Sequence, residues 1–387
     1  MAEGHVKISQ RGADRVRSGH LWVYRSDIRR AEAQSGDTVC VADEHNNFLG
    51  RAFFSSRSQI ALRFLTREDV AVDADFLGSR IRTAAEYRKR VVADTEAYRL
   101  VYSESDLIPS LIVDRYADWL VLQTLSQGSE ARKQEIVSLL VEMFSPRGIL
   151  ERNDPRVREL EGLERRTSVL YGEVPEKIIA AQNGVRFVHD LHTGQKTGGF
   201  LDQRENHRTA AAYASGEVLD CFTYHGGFAL SIAAQASHVD ANDLSGPAVA
   251  IARENQQLNN ISNVTFTEAN SFDVLKAHDN SGRHFDTVVL DPPAFAKNRE
   301  SVAAAVRGYK EINLRALKIL KPGGVLITCS CSYHIPEPLF LGLIAEAAND
   351  AGRSIQIVER RTQARDHPIL LTMPETHYLK CFVIRAI

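Results

Sequence analysis

Two cysteines lie one residue apart at the end of an apolar run, in the sequence LITCSCSYH (Leu326–His334). If this run is a β-strand, Cys329 and Cys331 share one face of it. Thiols placed in this way could form a metal site or a redox pair, could be a nucleophile beside a bystander, or could simply pack. A zinc site needs about four ligands, and no second pair accompanies this one. The chain has five cysteines without a disulfide spacing, which indicates reduced thiols. We expect the other three to pack in strands: Cys40, Cys221 and Cys381.

A glycine turn suggests a cofactor site. The stretch DCFTYHGGF (Asp220–Phe228) follows a predicted buried strand and contains Gly226 and Gly227, but it lacks the G-x-G-x-x-G fingerprint that binds a pyrophosphate. Asp243 ends the next strand about 20 residues later, as in sheets where an acid binds ribose hydroxyls. This combination favours an adenosine cofactor without phosphates, for which S-adenosylmethionine is the obvious candidate. The alternative is a nonspecific nucleoside-binding sheet.

A third motif, LDPPAF (Leu290–Phe295), follows another predicted strand. Its two prolines fix the backbone and remove two amide donors, which makes a stiff platform beside Asp291. An acid at the mouth of a sheet is a candidate for hydrogen bonding to a base edge. The alternative is that the prolines only terminate the strand.

The elements that position these motifs change along the chain. Residues 1–75 show short strands with closely spaced turns, which predicts a small barrel-like β-domain. Residues 76–188 predict a small α+β module. Residues 189–387 contain strands that alternate with helices from Gly216 onward, which is typical of a doubly wound parallel sheet. Two final strands, in RSIQIVERR and YLKCFVIRAI, predict an antiparallel closing pair. The fold class is therefore α/β with two smaller preceding modules.

Composition and charge narrow the class of protein. A hydrophobic fraction of 44% and a charged fraction of 25% are ordinary for globular proteins. No apolar run approaches the roughly 20 residues of a membrane span, and no signal-peptide core begins the chain, so we expect a cytoplasmic protein. The net charge of −2 excludes a uniformly basic chain. Residues 1–30 nevertheless carry seven Lys/Arg against three acids, and YRKR (Tyr87–Arg90) is also basic. Such patches could contact phosphates or could be a solvated surface.

Several stretches together resemble one known family. GQKTGGFLDQREN (Gly194–Asn206), LDPPAF and GGVLITCSCSYH (Gly323–His334) are similar to bacterial 23S rRNA cytosine-5 methyltransferases that carry an N-terminal PUA domain. The similarity extends over nearly the whole chain, including SGHLWVYRSDI (Ser18–Ile28) and DHPILLTMPETHYLKCF (Asp366–Phe382). The resemblance implies a Rossmann-like methyltransferase domain, S-adenosylmethionine as cofactor, and ribosomal RNA as partner with the target cytosine single-stranded or flipped.

The resemblance also implies roles for individual residues. One segment of residues before the sheet lines the cofactor pocket: Lys196, Thr197, Phe200, Asp202, Gln203 and Arg204. The remaining cofactor residues follow strand ends of the sheet: Asp220, Phe222, Gly226, Asp243, Asn270, Ser271, Phe272, Asp291 and Pro292. Asp243 would bind ribose, and Asn270 stands where the family usually has an acid near adenine. Cys331 would be the nucleophile, with Asp291 as the second catalytic residue.

The chemistry explains why a thiol is needed. Carbon 5 of cytosine is a poor nucleophile, so a thiolate first adds to carbon 6, carbon 5 then takes the methyl group, and a base removes its proton before the thiolate leaves. A free cysteine has a pKa of about 8.5, so a neighbouring group must favour its ionisation or accept its proton. Asp291 is placed to hydrogen-bond the base. Cys331 lies nearest the active end, and Cys329 one pleat deeper, where a thiol packs as a small hydrophobe.

Several alternatives remain at this point. Many RNA cytosine-5 methyltransferases carry a second cysteine directly after the proline of the fourth-strand motif, whereas this chain has Ala294 after its double proline. His334 is a minor candidate for the base. An aspartate–proline motif with an aromatic residue also serves amino-group methyltransferases of adenine or guanine, and a noncatalytic rRNA-binding assembly factor is a further alternative. A homodimer is possible.

Overall fold

The N-terminal strands are short, and in TVCVA (Thr38–Ala42) buried residues alternate with partly buried ones. The computed structural model describes residues 4–296 and 298–387; Glu3, one of the acids counted above, lies outside them. The strands form one sheet in the order β2-β6-β5-β4-β1-β3. A short helix that the sequence did not predict begins after Ser9, whose hydroxyl accepts from the Gly12 amide. The elements are β1 (Gly4–Ile8), α1 (Gln10–Arg17), β2 (Trp22–Tyr24), β3 (Ile28–Glu32), β4 (Thr38–Ala42), β5 (Phe48–Phe54) and β6 (Ile60–Thr66).

The middle of the chain forms a five-stranded sheet with helices, as predicted. Asp73 caps the first helix, because its carboxylate accepts from the Phe76 amide. The predicted hairpin is present, with Tyr116 paired to Trp119. The helix expected from Glu130 to Phe144 is instead two helices that meet at Arg132. The elements are α2 (Ala74–Val91), β7 (Ala97–Tyr102), β8 (Leu111–Tyr116), β9 (Trp119–Thr124), α3 (Gln127–Ala131), α4 (Lys133–Phe144), β10 (Gly148–Asn153), α5 (Val157–Leu160), β11 (Arg166–Gly172), β12 (Lys177–Gln182) and β13 (Val185–Asp190).

The chain folds into two compact units. The first contains residues up to 180 together with 189–201 and 365–376, and the second contains 181–188, 202–364 and 377–387. The first unit therefore holds the N-terminal sheet and the five-stranded sheet. The second unit holds the motifs that follow Gly216, and it is built on one seven-stranded sheet.

The seven-stranded sheet has the order β16-β15-β14-β17-β18-β20-β19. Its first five strands run parallel, and β20 lies antiparallel between β18 and β19. The predicted parallel sheet with an antiparallel closing pair is confirmed. The sequence did not show that β20, the last strand of the chain, lies between β18 and β19. The elements are α6 (Arg204–Tyr213), β14 (Gly216–Cys221), α7 (Gly227–Ile232), β15 (Ala236–Asp243), α8 (Gly246–Leu258), β16 (Val264–Glu268), α9 (Ser271–Ser281), β17 (Phe285–Leu290), α10 (Val302–Ile319), β18 (Leu320–Ser330), α11 (Glu337–Asp350), β19 (Ile355–Arg361) and β20 (Lys380–Ala386).

Apolar residues of this sheet pack into two separate clusters, since successive side chains of a strand point to opposite faces. On β18, Leu326 joins a cluster with helices α10 and α11, whereas Ile327 and Cys329 join one with α7 and α8. Cys329 is fully buried and pairs in register with Cys381, which is also buried. Cys329 is therefore a packing residue, as expected. The two clusters pack the sheet against its helices and so support the strand ends that carry the site.

Candidate active site at the carboxyl edge of the seven-stranded sheet

The strand register places the predicted motifs side by side. Cys221 pairs with Leu290, and Leu290 pairs with Thr328, so β14, β17 and β18 reach the same edge together. Asp291 follows Leu290 directly, and Cys331 follows the last residue of β18. Asp243 ends the neighbouring strand β15. Three residues that the sequence singled out, Asp243, Asp291 and Cys331, thus lie at the carboxyl edge, where sheets of this type bind ligands.

The first turn has a backbone that only glycine adopts easily at its critical position. Gly226 has a φ of +83°, and a Cβ there would lie 2.9 Å from the Phe266 ring. At Gly227 a Cβ would lie 2.5 Å from the His207 ring. Phe222 also has a positive φ, of +67°. These glycines let the chain turn tightly between β14 and α7 at the edge of the sheet.

Asp220 is a fully buried carboxylate at the end of β14. Its Oδ2 accepts hydrogen bonds from the Thr223 hydroxyl at 2.6 Å and the Ala229 amide at 3.0 Å. Among the described residues its Oδ1 has no hydrogen-bond partner. Burial, reinforced by the negative charges of Asp291 and Asp243, raises the pKa of Asp220 to about 7. The edge therefore presents a buried acceptor in a strongly negative environment.

The Asp243 carboxylate is held by the backbone on both of its oxygens. Oδ2 accepts from the Tyr224 amide and Oδ1 from the Ser245 amide, each at 2.9 Å. These two bonds tie the first turn to the end of β15. They fix the orientation of a side chain that is only partly buried, which is what recognition of a hydroxyl pair requires.

Residues after the third strand cap and support the edge. The Asn270 side-chain oxygen accepts from the Phe272 amide and caps α9, and Asn270 is exposed. The buried Ser271 hydroxyl accepts from the Asn242 amide group at 2.7 Å. Phe272 belongs to a ring cluster with Phe222, where the ring centroids lie 6.4 Å apart in an edge-on arrangement. The oxygen of Asn270 is thus engaged locally, which leaves its NH2 group as the part that can face a base.

The fourth-strand motif lies beside the candidate nucleophile. The Asp291 Oδ1 accepts from the Gln203 Nε2 at 2.8 Å, and the Gln203 Oε1 in turn accepts from Asn206 at 2.6 Å. Pro292 is buried, and its carbonyl oxygen lies 4.0 Å from the Cys331 Sγ. Cys331 is only partly buried, whereas burial raises the pKa of Cys329 and keeps that thiol protonated. Of these two thiols, only Cys331 can meet a ligand.

The predicted pocket-lining segment divides between the two units. In the second unit, Asp202 accepts from the Tyr378 hydroxyl at 2.6 Å, and the Arg204 carbonyl accepts from Asn183. In the first unit, the Lys196 ammonium lies 4.5 Å from the centre of the Phe200 ring. Also in the first unit, the buried Thr197 hydroxyl donates to an oxygen of Asp114 and bonds Tyr116.

The residues at the edge suit a cationic adenosine cofactor. Asp220 supplies a buried acceptor without a hydrogen-bond partner among the described residues, and Asp243 supplies an oriented carboxylate. Asp291 adds negative charge close enough to raise the pKa of Asp220. A sulfonium compound is stabilised by such a cluster, because opposite charges in a low-dielectric site attract strongly. The donor set therefore fits S-adenosylmethionine.

Sequence reasoning missed three polar residues around Cys331. The hydroxyl groups of Tyr309 and Ser332 are hydrogen-bonded at 2.9 Å, and the Ser332 Oγ also accepts from the Ala296 amide. The Lys380 ammonium donates to the carbonyl oxygens of Ser332 and Ile335. One signal was available in the sequence, since a single lysine interrupts the otherwise apolar start of the last strand, YLKCFVI.

The basic residues near the N-terminus are largely paired with acids. Five arginines of residues 1–30 form ion pairs: Arg11 and Arg15 with Asp27, Arg17 with Asp14 and Asp43, Arg29 with Glu44, and Arg30 with Glu32. In YRKR, Arg88 is buried against Asp106, so it does not belong to a surface patch. Counting charges along the sequence therefore overstated the free basic surface.

The described ranges contain neither a candidate metal site nor a candidate membrane-spanning helix. Across residues 4–296 and 298–387, no group of three or more His, Cys, Asp or Glu side chains could hold a metal ion. In those same residues no helix is long and apolar enough to cross a bilayer.

Comparison with known proteins extends this picture. A family described as a PUA-like domain matches residues 6–67, and a family described as S-adenosylmethionine-dependent methyltransferase matches residues 163–382. Proteins named ribosomal RNA large subunit methyltransferase I are similar over most of the chain. The Tolumonas auensis protein is 41% identical over 379 residues, covering 95% of this chain and 96% of its own. The Aeromonas hydrophila protein is 42% identical over 378 residues, covering 95% of each.

Solved structures show the same fold. The crystal structure of SMU.776, a candidate methyltransferase complexed with SAH, has a TM-score of 0.85 at 20% identity and covers 98% of this chain and 99% of its own. A candidate SAM-dependent methyltransferase from Streptococcus mutans has a TM-score of 0.84 at 19% identity, with the same coverage. Fold and site thus define a Rossmann-like methyltransferase with a PUA-like N-terminal domain. The chain belongs to the S-adenosylmethionine-dependent methyltransferase family, in the group that contains the proteins from Tolumonas and Aeromonas. Its cofactor is S-adenosylmethionine.

Proposed function

We propose that this protein methylates carbon 5 of one cytosine in 23S ribosomal RNA, and that Cys331 forms a covalent bond to carbon 6 of that cytosine. The proposal is carried by one observation: the partly exposed Cys331 thiol lies against the Pro292 carbonyl, beside Asp291, at the edge where the cofactor residues converge. The names of the relatives support a large-subunit RNA substrate. Amino-group methylation needs no thiol at this position.

Each catalytic group has a defined task in this proposal. The Cys331 thiolate attacks carbon 6, which makes carbon 5 electron-rich. Asp291, held by Gln203, hydrogen-bonds the cytosine, and a proton shared between its carboxyl group and ring nitrogen 3 neutralises the negative charge that moves onto the ring. Because Gln203 is itself fixed by Asn206, the carboxylate is oriented before the RNA arrives. The bound cofactor supplies an activated methyl group.

The cofactor-binding residues hold S-adenosylmethionine next to Cys331 and Asp291. Asp243 receives the ribose hydroxyls, and the first turn at Gly226 lets the backbone approach the cofactor. The buried Asp220 holds the first turn through Thr223 and Ala229, and the Phe222 and Phe272 rings line the adjoining surface. For the residues of the first unit, namely Lys196, Thr197 and Phe200, and for Asp202 and Arg204, pocket lining stays a prediction from the resemblance, as does the role of Asn270, Ser271 and Pro292.

The remaining parts of the proposal concern the whole protein. We assign residues 1–75 to a PUA-like RNA-binding domain, 76–188 to a central module, and 189–387 to the methyltransferase domain. The cytosine must leave its stack to reach the thiol, so the substrate is single-stranded or flipped RNA. A cytoplasmic location suits a ribosomal RNA substrate, and a homodimer stays a prediction.

Bisulfite sequencing of 23S rRNA from a strain lacking the gene tests this function. We expect one 5-methylcytosine to disappear and to return with the wild-type gene or with Cys40→Ala, a control that removes another partly exposed thiol. Cys331→Ala should not restore it. Restoration by Cys331→Ala would contradict the mechanism, and an unchanged bisulfite pattern with loss of a methylated adenine or guanine would contradict the product.

A further inference from the structure

Cys331 lies next to a carbonyl oxygen, which by itself does not explain an ionised thiol. The Pro292 carbonyl accepts a hydrogen bond from S–H and so favours the protonated form. The nucleophile of the proposed reaction is the thiolate. Another group near Cys331 must therefore favour the negative charge.

We propose that Lys380 is a positioning residue that holds the Cys331 turn and electrostatically favours the Cys331 thiolate. This inference rests on the proposed function, because it gives the thiolate a role. Lys380 acts through Cys331 and is not assigned a contact with RNA or cofactor.

The position of Lys380 follows from the strand register. Lys380 begins β20 and pairs with Ser330, the last residue of β18. Its ammonium crosses to the turn that follows, where it donates to the carbonyl oxygens of Ser332 at 2.8 Å and Ile335 at 2.9 Å. One lysine thus fixes two carbonyls of the turn that begins with Cys331. An ammonium has three N–H donors, and among the described residues only these two bonds are made.

The Lys380 ammonium is buried, so its charge needs compensating interactions inside the protein. The Lys380 side chain is only 5% exposed, and burial of a charge is unfavourable unless an opposite charge or hydrogen bonds compensate. Burial lowers the pKa of Lys380 to about 8, and negative charge on Cys331 opposes that change. By reciprocity, the ammonium stabilises the Cys331 thiolate by the same interaction.

Other ionisable groups around the pair do not replace the lysine. Glu337, from α11, also favours the charged form of Lys380. It is an acid that pairs with Arg360 of β19 at 3.4 Å, so it cannot itself stabilise a thiolate. Tyr309, from α10, is hydrogen-bonded to Ser332, and burial raises its pKa, so its hydroxyl stays neutral. Asp291, after β17, is an acid and opposes a thiolate. Cys329 and Cys381 are buried in the apolar cluster with α7 and α8.

The test measures the acidity of Cys331 directly, without RNA or turnover. In a Cys40→Ser background Cys331 is the partly exposed thiol, since Cys221, Cys329 and Cys381 are buried. The rate of iodoacetamide alkylation is followed by mass spectrometry of the Cys331 peptide from pH 6 to pH 10. The midpoint of the profile reports thiolate formation, and the plateau at high pH reports access to the thiol.

Lys380→Met should raise the midpoint by about one pH unit and slow alkylation at pH 7 about tenfold, with the plateau unchanged. Lys380→Arg should keep the midpoint of the parent, because it keeps the charge. Lys321→Met is the matched control: it removes a lysine at the opposite end of β18, where Lys321 pairs with Asp286. That variant should alkylate like the parent. If Lys380→Met does not fold, Lys380→Gln is read instead, since its amide still donates hydrogen bonds without a charge.

An unchanged midpoint in the folded Lys380→Met or Lys380→Gln variant would overturn the inference. An equal rise in Lys380→Arg would overturn it as well, because packing rather than charge would then be the cause. These outcomes are distinct from failure of the proposed function. That function fails if Cys331→Ala retains methylation, whatever the acidity of the thiol.

Discussion

Replacing Asp220 with asparagine should change how the stability of the protein depends on pH. Burial and the charges of Asp291 and Asp243 raise the pKa of Asp220 from the ordinary value of 3.8 to about 7. Between these values the folded state binds a proton that the unfolded state has released. The free energy of unfolding of the wild type therefore falls as pH rises, by about 1.4 kcal/mol per pH unit, until pH passes about 7.

Asparagine cannot ionise, so the variant lacks this slope. Its NH2 group replaces an oxygen that has no partner among the described residues, which adds a pH-independent cost of about 1–3 kcal/mol. Relative to the wild type, the variant should therefore gain about 3 kcal/mol between pH 5 and pH 8. Urea unfolding without cofactor, followed by circular dichroism at intervals of half a pH unit, measures this difference.

Asp286→Asn is the control with the opposite sign. The Lys321 ammonium, 2.7 Å away, and the Glu217 amide hold the pKa of Asp286 below its ordinary value. Its stabilising effect is therefore complete above about pH 5 and is lost only at lower pH. Asp286→Asn should show a constant offset from the wild type between pH 5 and pH 8. A constant offset for Asp220→Asn too would refute the reasoning about the buried carboxylate.

The other predictions concern the cofactor site and Asp291. If Asp243 binds the ribose as proposed, Asp243→Asn should weaken S-adenosylmethionine binding about tenfold or more in calorimetry, because a donor then replaces one acceptor of the hydroxyls. Gly226→Ala should lower the free energy of unfolding by about 1–3 kcal/mol and weaken cofactor binding, since alanine is strained at a φ of +83° and meets the Phe266 ring. Gln203→Ala should reduce kcat about tenfold, because Asp291 loses the bond that orients it.

Matched controls separate these effects from general damage. Gly323 also has a positive φ, of +80°, but a Cβ there would meet no atom within 4 Å, so Gly323→Ala should not affect cofactor binding. Asp240→Asn changes a carboxylate earlier on β15 that pairs with Arg283 and should leave affinity intact. Equal losses in the control and in its partner would contradict the role given to Gly226 or Asp243. An unchanged kcat in Gln203→Ala would contradict the orienting bond.

Local patterns predicted the elements of the sheet and the residues at its edge. Strands and helices alternate in the sequence from Gly216, and each strand end carries its own polar residue, so Asp220, Asp243, Asp291 and Cys331 could be placed without a structure. The short helix α1 was missed because it buries only three residues, Gly12, Ala13 and Val16. A periodic pattern is weak over so few positions.

Features that depend on pairing between distant residues could not be predicted in the same way. β20 pairs with both β18 and β19 in the sheet. Its apolar sequence would suit the sheet edge beyond β19 equally well, so the sequence alone does not select the position. The bonds from Lys380 to Ser332 and Ile335 depend on that position. Likewise, Arg11 and Arg15 pair with Asp27, which lies more than ten residues further along the chain. A count of charges does not reveal such pairs.

The covalent step at Cys331 is the central claim, and trapping it gives the most direct test. A ribosomal RNA transcript with 5-fluorocytidine in place of cytidine is incubated with protein and S-adenosylmethionine. Fluorine on carbon 5 cannot leave as a proton does, so the thiolate is not released after methyl transfer. We predict an RNA–protein complex that survives denaturation with the wild type and with Cys40→Ala, and none with Cys331→Ala. A complex of equal yield with Cys331→Ala, or no complex from a wild type that methylates ordinary RNA, would contradict the account.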